Sequence, residues 1–235
     1  MKNMINKYFK ESGFEISEQQ INLFYQYAEL LFAENKKVNL TALSGPEETV
    51  VKHFLDSIMV LKYRKLDKKK AIDLGTGAGF PGIPLKIMAN RLEITLVDSL
   101  KKRCLFLEKA LNHLGLSGVD VVNDRAENLG QNNLYRDSYD FSLSRAVAHT
   151  RILLEFHAPL LKIGGEIILL KGPGVEEELN ASQKAADELG VELTDLIKYE
   201  LPAGYGQRTL AVFKKTTKTP GKYPRRPGIP EKKPL

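Results

Sequence analysis

Residues 73–84, Asp-Leu-Gly-Thr-Gly-Ala-Gly-Phe-Pro-Gly-Ile-Pro, put four glycines and two prolines into twelve positions. Glycine permits left-handed backbone and lets N–H groups come close to a ligand. Proline fixes its own backbone and holds the residue before it away from helical angles. The short apolar pair Ala71-Ile72 precedes this stretch and a helical pattern follows it. Strand, glycine loop and helix in that order make a site for a ligand with a negative or polar tail, shaped before the ligand arrives. The prolines predict extended backbone at Phe80 and Ile83, with the helix starting near Pro84.

The pattern around the loop repeats. Strand patterns fall at 70–73, 92–97, 119–123, 139–143 and 166–171, and helical patterns at 84–90, 100–114 and 151–161. Gly115 and the pair Gly164-Gly165 follow two of these helices, where a left-handed stop is cheap. Strands separated by helices mean a parallel, doubly wound sheet. A helix over 175–189 precedes strand patterns at 191–201 and 207–214. These lie too close together for a helical crossover, so they pair antiparallel. The expected fold is α/β: a mostly parallel, doubly wound sheet of seven strands over residues 71–214.

Two further regions flank this core. Residues 1–70 read as a helical extension. Ser17 and Gln20 form a capping box, and Ile21, Phe24, Tyr25, Ala28, Leu31 and Phe32 then recur at helical spacing. Ser44-Gly45-Pro46 opens another helix, whose apolar stripe is Val50, Val51, Phe54, Leu55, Ile58 and Leu61. Residues 215–235 are basic and proline-rich and are expected to be extended or irregular. Residues 1–70 carry 12 Lys/Arg and 9 Asp/Glu, residues 71–213 carry 15 and 19, and residues 214–235 carry 8 and 1. Basic ends around a slightly acidic middle suggest a polyanionic partner. No apolar run reaches the length of a membrane span and the first residues hold no signal-like stretch, so a cytoplasmic protein is expected. The single cysteine, Cys104, excludes an internal disulfide and leaves no cysteine cluster for zinc.

Two ligand classes compete for the loop. Gly77-Ala78-Gly79-Phe80-Pro81-Gly82 satisfies the dinucleotide fingerprint. Asp98, at the end of the second strand, suits ribose hydroxyls in either class. Asp73 discriminates between them: a carboxylate at the end of the first strand repels a pyrophosphate but attracts the sulfonium and ammonium of S-adenosylmethionine. The antiparallel final strand also suits a methyltransferase sheet.

The stretches NLTA, HFLDS, DLGTGAGFPGIPL, LVDSLKKR, RAE, SRAVA and YPRRPGIPEKKPL together resemble the bacterial small-subunit rRNA methyltransferase G family, also called glucose-inhibited division protein B. The resemblance runs from about residue 38 to the C-terminus. It implies transfer of a methyl group from S-adenosylmethionine to N7 of a guanine in the decoding-region loop of 16S rRNA, with the rRNA or the small ribosomal subunit as partner. It also implies donor-site roles for Gly75, Phe80, Asp98, Ser99, Leu100, Ala126, Glu127 and Arg145. Asp73 and Gly77 join that set from the loop itself.

The residues fit this chemistry. Methylation at a pyrimidine carbon needs a cysteine nucleophile, and Cys104 reads as core. Exocyclic amines call for an Asn/Asp-Pro-Pro-aromatic stretch where this chain has Ser144-Arg145-Ala146. A ribose hydroxyl needs a base, and no matching Asp ends the fourth strand. Guanine N7 carries a free lone pair and loses no proton, so positioning suffices. Arg145 is the expected positioning residue, serving the donor carboxylate, a phosphate or guanine O6, with a salt bridge to a nearby acid as the structural alternative. Ser99 doubles as a helix cap. His53, His113, His149 and His157 show no metal spacing, and His53 alone faces the domain junction. Lys171, Lys222, Arg225 and Arg226 are candidate phosphate contacts, Tyr205 and Tyr223 candidate stacking partners. The tail either binds RNA or clamps the core. A nicotinamide-dependent oxidoreductase and a non-catalytic RNA-binding module stay open.

Overall fold

The structure, a computed structural model, describes residues 1–38, 45–145 and 148–235, with side chains described outside 36–38. The NLTA stretch, Ser44 and Ala146 lie outside the described residues. The chain opens with α1 (Lys2–Glu11) and α2 (Glu18–Val38). The capping box forms as read: the Gln20 N–H donates to Ser17 Oγ at 3.2 Å, and the Ser17 N–H donates to Gln20 Oε1 at 3.0 Å. A continuous helical run follows. It begins as α3 (Pro46–Glu48), widens into a π-helical stretch (Thr49–Leu55), returns as α4 (Asp56–Ile58) and tightens into a 3₁₀ turn (Met59–Lys62). Its stripe of Val50, Val51, Phe54, Leu55 and Ile58 is buried.

The core then alternates: β1 (Lys70–Leu74), α5 (Gly82–Met88), β2 (Glu93–Val97), α6 (Lys101–Leu114), β3 (Val119–Val122), α7 (Ala126–Gln131), β4 (Tyr139–Arg145), α8 (Thr150–His157), β5 (Leu161–Lys171), α9 (Glu176–Asn180), α10 (Gln183–Leu189), β6 (Val191–Leu201) and β7 (Gly206–Lys215), with a last turn α11 (Ile229–Lys232) in the tail. The seven strands form one sheet in the order β3-β2-β1-β4-β5-β7-β6. β7 is antiparallel to both neighbours, and the other pairings are parallel. The strand order reverses between β1 and β4, which opens a crevice at their C-terminal ends.

Side-chain alternation divides the core in two. Ala71 joins a cluster with Phe9, Phe24, Phe54 and Ile83, whereas Ile72 and Leu74 join Leu153, Leu169 and Tyr223 on the opposite face. Tyr27 lies in the first cluster, and its hydroxyl donates to the Ala78 carbonyl, so α2 braces the glycine loop. Tyr27 also stacks on Phe54 with ring centres 5.5 Å apart.

Three expectations are corrected. The helix after the loop begins at Gly82 rather than near Pro84, and Ile83 is helical. Its start is fixed by the Gly82 N–H, which donates to Asp73 Oδ2 at 2.9 Å. Gly164-Gly165 does not stop a helix: α8 ends at His157 and both glycines lie inside β5. There a Cβ on Gly165 would sit 3.0 Å from the Asp140 carbonyl, beside the register shift between β4 and β5, so the pair serves a bulge. The helix expected over 175–189 is two helices, with buried Ser182 between them donating to the Glu178 and Leu179 carbonyls.

Candidate functional site

A cleft of about 870 Å³ lies at the C-terminal edge of the sheet, where the strand order reverses. One wall is the glycine loop with the end of β2. Gly75, Gly77 and Gly79 all have positive φ, at 67°, 62° and 101°. Only glycine takes such angles without strain, which explains the alternation of glycine through the loop. Next to Gly77, where a side chain would start, there is nothing within 4 Å.

Asp73 anchors the loop from below. It is fully buried, and its Oδ2 accepts from Thr76 Oγ1 at 2.6 Å as well as from Gly82 N–H. Its Oδ1 is buried and has no hydrogen-bond partner among the described residues. Burial pushes its carboxyl up to about 7, against the opposing pull of Thr76, the Gly82 amide and Arg145. Two conclusions follow about the ligand. The start of α5 is already occupied by a carboxylate, so a pyrophosphate has no place there. The open glycine face over this buried carboxylate suits a cationic ligand lying close to the backbone, as S-adenosylmethionine would. Gly75 and Gly77 line the cleft, whereas Asp73 lies beneath the loop and is not among the lining residues.

Asp98 ends the same wall. Its Oδ2 accepts from the Gly77 N–H at 3.0 Å and from Arg103 at 3.2 Å, and its Oδ1 accepts from the Leu100 N–H at 2.9 Å. It therefore ties the loop to the start of α6 and still faces the cleft with Ser99. Ser99 is not the helix cap, because Leu100 holds that position. Leu100, Ala126 and Glu127 are not among the residues lining the cleft. Glu127 is buried, and its Oε1 accepts from the Gly228 N–H of the tail at 3.1 Å. Cys104 is buried core, with its thiol against the Asp98 carbonyl.

The opposite wall centres on Arg145, from the end of β4. It donates to the Lys52 carbonyl at 2.8 Å, meets His53 Nδ1 at 2.9 Å, and lies 3.5 Å from Asp56 Oδ2. The guanidinium also covers the Phe80 ring at 4.8 Å, and His53 stacks on that ring at 4.9 Å. Asp56 is buried and accepts from the Tyr199 hydroxyl at 2.7 Å. Burial pushes its carboxyl up, while Arg145 and Tyr199 oppose that rise. Arg145 thus takes the salt bridge weighed as its structural alternative and still faces the cleft. Phe80 contributes a buried ring face rather than an exposed one.

Sequence reasoning missed Asp56 and Arg208, which line the cleft, and Tyr199, which bonds Asp56 from behind it. A signal existed for the first: Lys52, His53 and Asp56 are spaced three and four apart, which places polar groups on one helical face.

The candidate phosphate contacts divide. Lys171 lines the cleft, but its ammonium is committed to Glu178 Oε1 at 2.7 Å and the Ala148 carbonyl at 2.8 Å. It holds the β5 end to the segment entering α8 instead of facing solvent. Lys222 pairs with Glu188 at 3.0 Å. Arg225 grips Glu155 through two nitrogens. Arg226 is exposed. Tyr223 is buried and bonds Glu188, so it packs, whereas Tyr205 lies under the Lys52 ammonium at 5.3 Å. Among the described residues there is no cluster of three metal-ligating side chains, and no helix is long and apolar enough to cross a membrane.

The strand order, the antiparallel β7 and the acid-rooted glycine loop define an S-adenosylmethionine-dependent methyltransferase. Solved structures agree on the fold. A methyltransferase from Pyrococcus furiosus superposes with a TM-score of 0.58 at 17% identity, covering 83% of this chain and 99% of that one. The TYW2 protein of M. jannaschii in complex with AdoMet gives 0.56 at 14% identity, covering 74% and 79%. The chain belongs to the rRNA small subunit methyltransferase G family, whose model matches residues 20–203. Ribosomal RNA small subunit methyltransferase G of Carboxydothermus hydrogenoformans is 57% identical over the full length of both chains. That of Leuconostoc mesenteroides is 44% identical over 99% of this chain and 100% of its own.

Proposed function

We propose that this protein transfers the methyl group of S-adenosylmethionine to N7 of a guanine in the decoding-region loop of 16S rRNA, acting in the cytoplasm on the rRNA or the small subunit. Bound S-adenosylmethionine supplies a methyl group on a positively charged sulfur. The chain's own residues bind, orient and exclude water. Asp73 provides negative potential under the glycine loop, and Asp98 with Ser99 offers acceptors for ribose hydroxyls. Ala126 and Glu127, in the first turn of α7 after β3, would extend that side toward the adenine.

Arg145, Phe80 and His53 form the acceptor side. Arg145 is held by Asp56 and the Lys52 carbonyl, so its charge is fixed before a base arrives. N7 already bears its lone pair, so no residue has to accept a proton. Alignment alone can supply up to ~7–11 kcal/mol of barrier lowering. Arg226 of the tail adds an exposed charge for the phosphate backbone.

The observation that carries this reading is the Gly82 N–H answered by Asp73, which puts a buried carboxylate, not a free helix start, beneath the open glycine loop. Calorimetric titration with S-adenosylmethionine and with NAD tests the donor: binding of NAD alone overturns it. Mapping 7-methylguanine in 16S rRNA with and without the protein tests the acceptor. A chain that binds RNA and the donor yet deposits no methyl group is a binding module.

A further inference from the structure

The basic tail is fastened to the core at the end nearest the donor wall. The Arg225 side chain donates to Glu155 Oε1 at 2.9 Å and Oε2 at 2.6 Å, and its backbone N–H donates to Oε1 at 2.8 Å. Glu155 is fully buried on α8, so this bidentate pair is not a loose surface contact. Pro224 then seats on α7: a Cβ on Gly130 would lie 2.6 Å from its ring. Three residues beyond Arg225, Gly228 takes a left-handed φ of 80° and donates its N–H to Glu127 Oε1. Glu127 opens α7, which follows β3 at the C-terminal edge of the sheet. Asn123, in the connection between them, donates to the Asp98 carbonyl at 2.9 Å. The tail, α7 and the donor wall are thus one connected chain of contacts.

We propose that residues 219–235 are a positioning part of the donor site: Arg225 locks the tail on Glu155 so that Gly228 holds the Glu127 carboxylate and, through it, the first turn of α7 against the donor wall. This rests on the reading of Glu127 as a donor-site residue given above. The tail's phosphate-facing role is then secondary and falls to residues with no internal acid partner, such as Arg226.

The test is the Kd for S-adenosylmethionine by calorimetry on full-length protein, for the wild type, Arg225→Ala, Arg225→Lys, Gly130→Ala and Glu127→Gln. Gly130→Ala guards against misfolding of the arginine variant. It favours the helix that carries it and acts on the tail only by unseating Pro224. Arg225→Ala and Gly130→Ala are expected to weaken binding about ten-fold, the worth of roughly one well-made hydrogen bond, with Arg225→Lys between them and the wild type. A tail that served stability alone would lower the melting temperature and leave the Kd of the folded protein where it was. The inference is overturned if both tail variants bind within about two-fold of wild type while Glu127→Gln is weakened. Unchanged binding by Glu127→Gln overturns the route through that carboxylate. Failure of the wild type to bind overturns the donor reading itself.

Discussion

Arg145 and Asp56 meet 3.5 Å apart in the wall of the cleft opposite the glycine loop, one from the end of β4 and the other from the first turn of α4. The pair sets the protonation and geometry of that wall. It also changes what removing Arg145 should do.

Arg145→Ala should cut methyl transfer strongly. With Asp56 buried, it strands a carboxylate and is expected to cost about 3–5 kcal/mol of stability in addition to the activity. Adding Asp56→Asn should restore much of the urea midpoint and none of the methyl transfer. A double variant that regains turnover would remove Arg145 from the mechanism.

Asp73 and His157 titrate in opposite senses. The Asp73 carboxyl is raised from 3.8 to about 7 by burial, so the folded state holds its proton more tightly than the unfolded chain. Its contribution is complete below about pH 4 and is lost as pH rises through 7. Burial on the far face of the sheet, with Lys171 adding a smaller push, lowers His157 from 6.5 to about 3. Its contribution is complete above pH 6.5 and is lost as pH falls toward 3. Between pH 4 and 6.5 the two slopes, each at most ~1.4 kcal/mol per pH unit, oppose each other. Wild-type stability should be nearly flat there. Asp73→Asn should lose stability toward acid and His157→Gln should gain it, both read from denaturant midpoints across pH.

Donor binding should release a proton. At pH 6.5 much of Asp73 is protonated in the free protein, and a bound cation favours its ionised form. Calorimetry in two buffers of different ionisation heat should give different apparent enthalpies, and affinity should fall from pH 8 to pH 6. Identical enthalpies in both buffers would mean that Asp73 does not sense the ligand's charge.

The salt dependence of RNA binding should separate neighbouring arginines. Arg226 is exposed, while Arg225 is held by Glu155. Arg226→Ala is expected to reduce the slope of log affinity against log salt by about 0.7, one single-strand phosphate contact. Arg225→Ala should leave the slope in place.

The sequence made the strand–loop–helix unit, the capping box and the antiparallel last pair legible because each is fixed by neighbours within a few residues. The helix start was read two residues late, because Gly82 is held by a carboxylate nine positions earlier. Gly164-Gly165 misled because a helix stop and a bulge ask for the same left-handed backbone, and only the partner strand tells them apart. Tyr27 was passed over because the helical stripe can be drawn on either side of it. The Asp56–Tyr199 bond joins residues 143 positions apart, and nothing local to either one announces it. The glycine wall, built from one short stretch, is open to reading; of the arginine wall, Arg145 and Phe80 are legible, while Asp56 and Tyr199, which hold it from distant stretches, are not.

That Asp56–Tyr199 bond makes an early helix and a late strand co-owners of the wall that carries Arg145. The glycine loop and the end of β2 are spelled out between Asp73 and Arg103, within one stretch of chain. Their counterpart exists only while an early helix and the late β6 strand are both present.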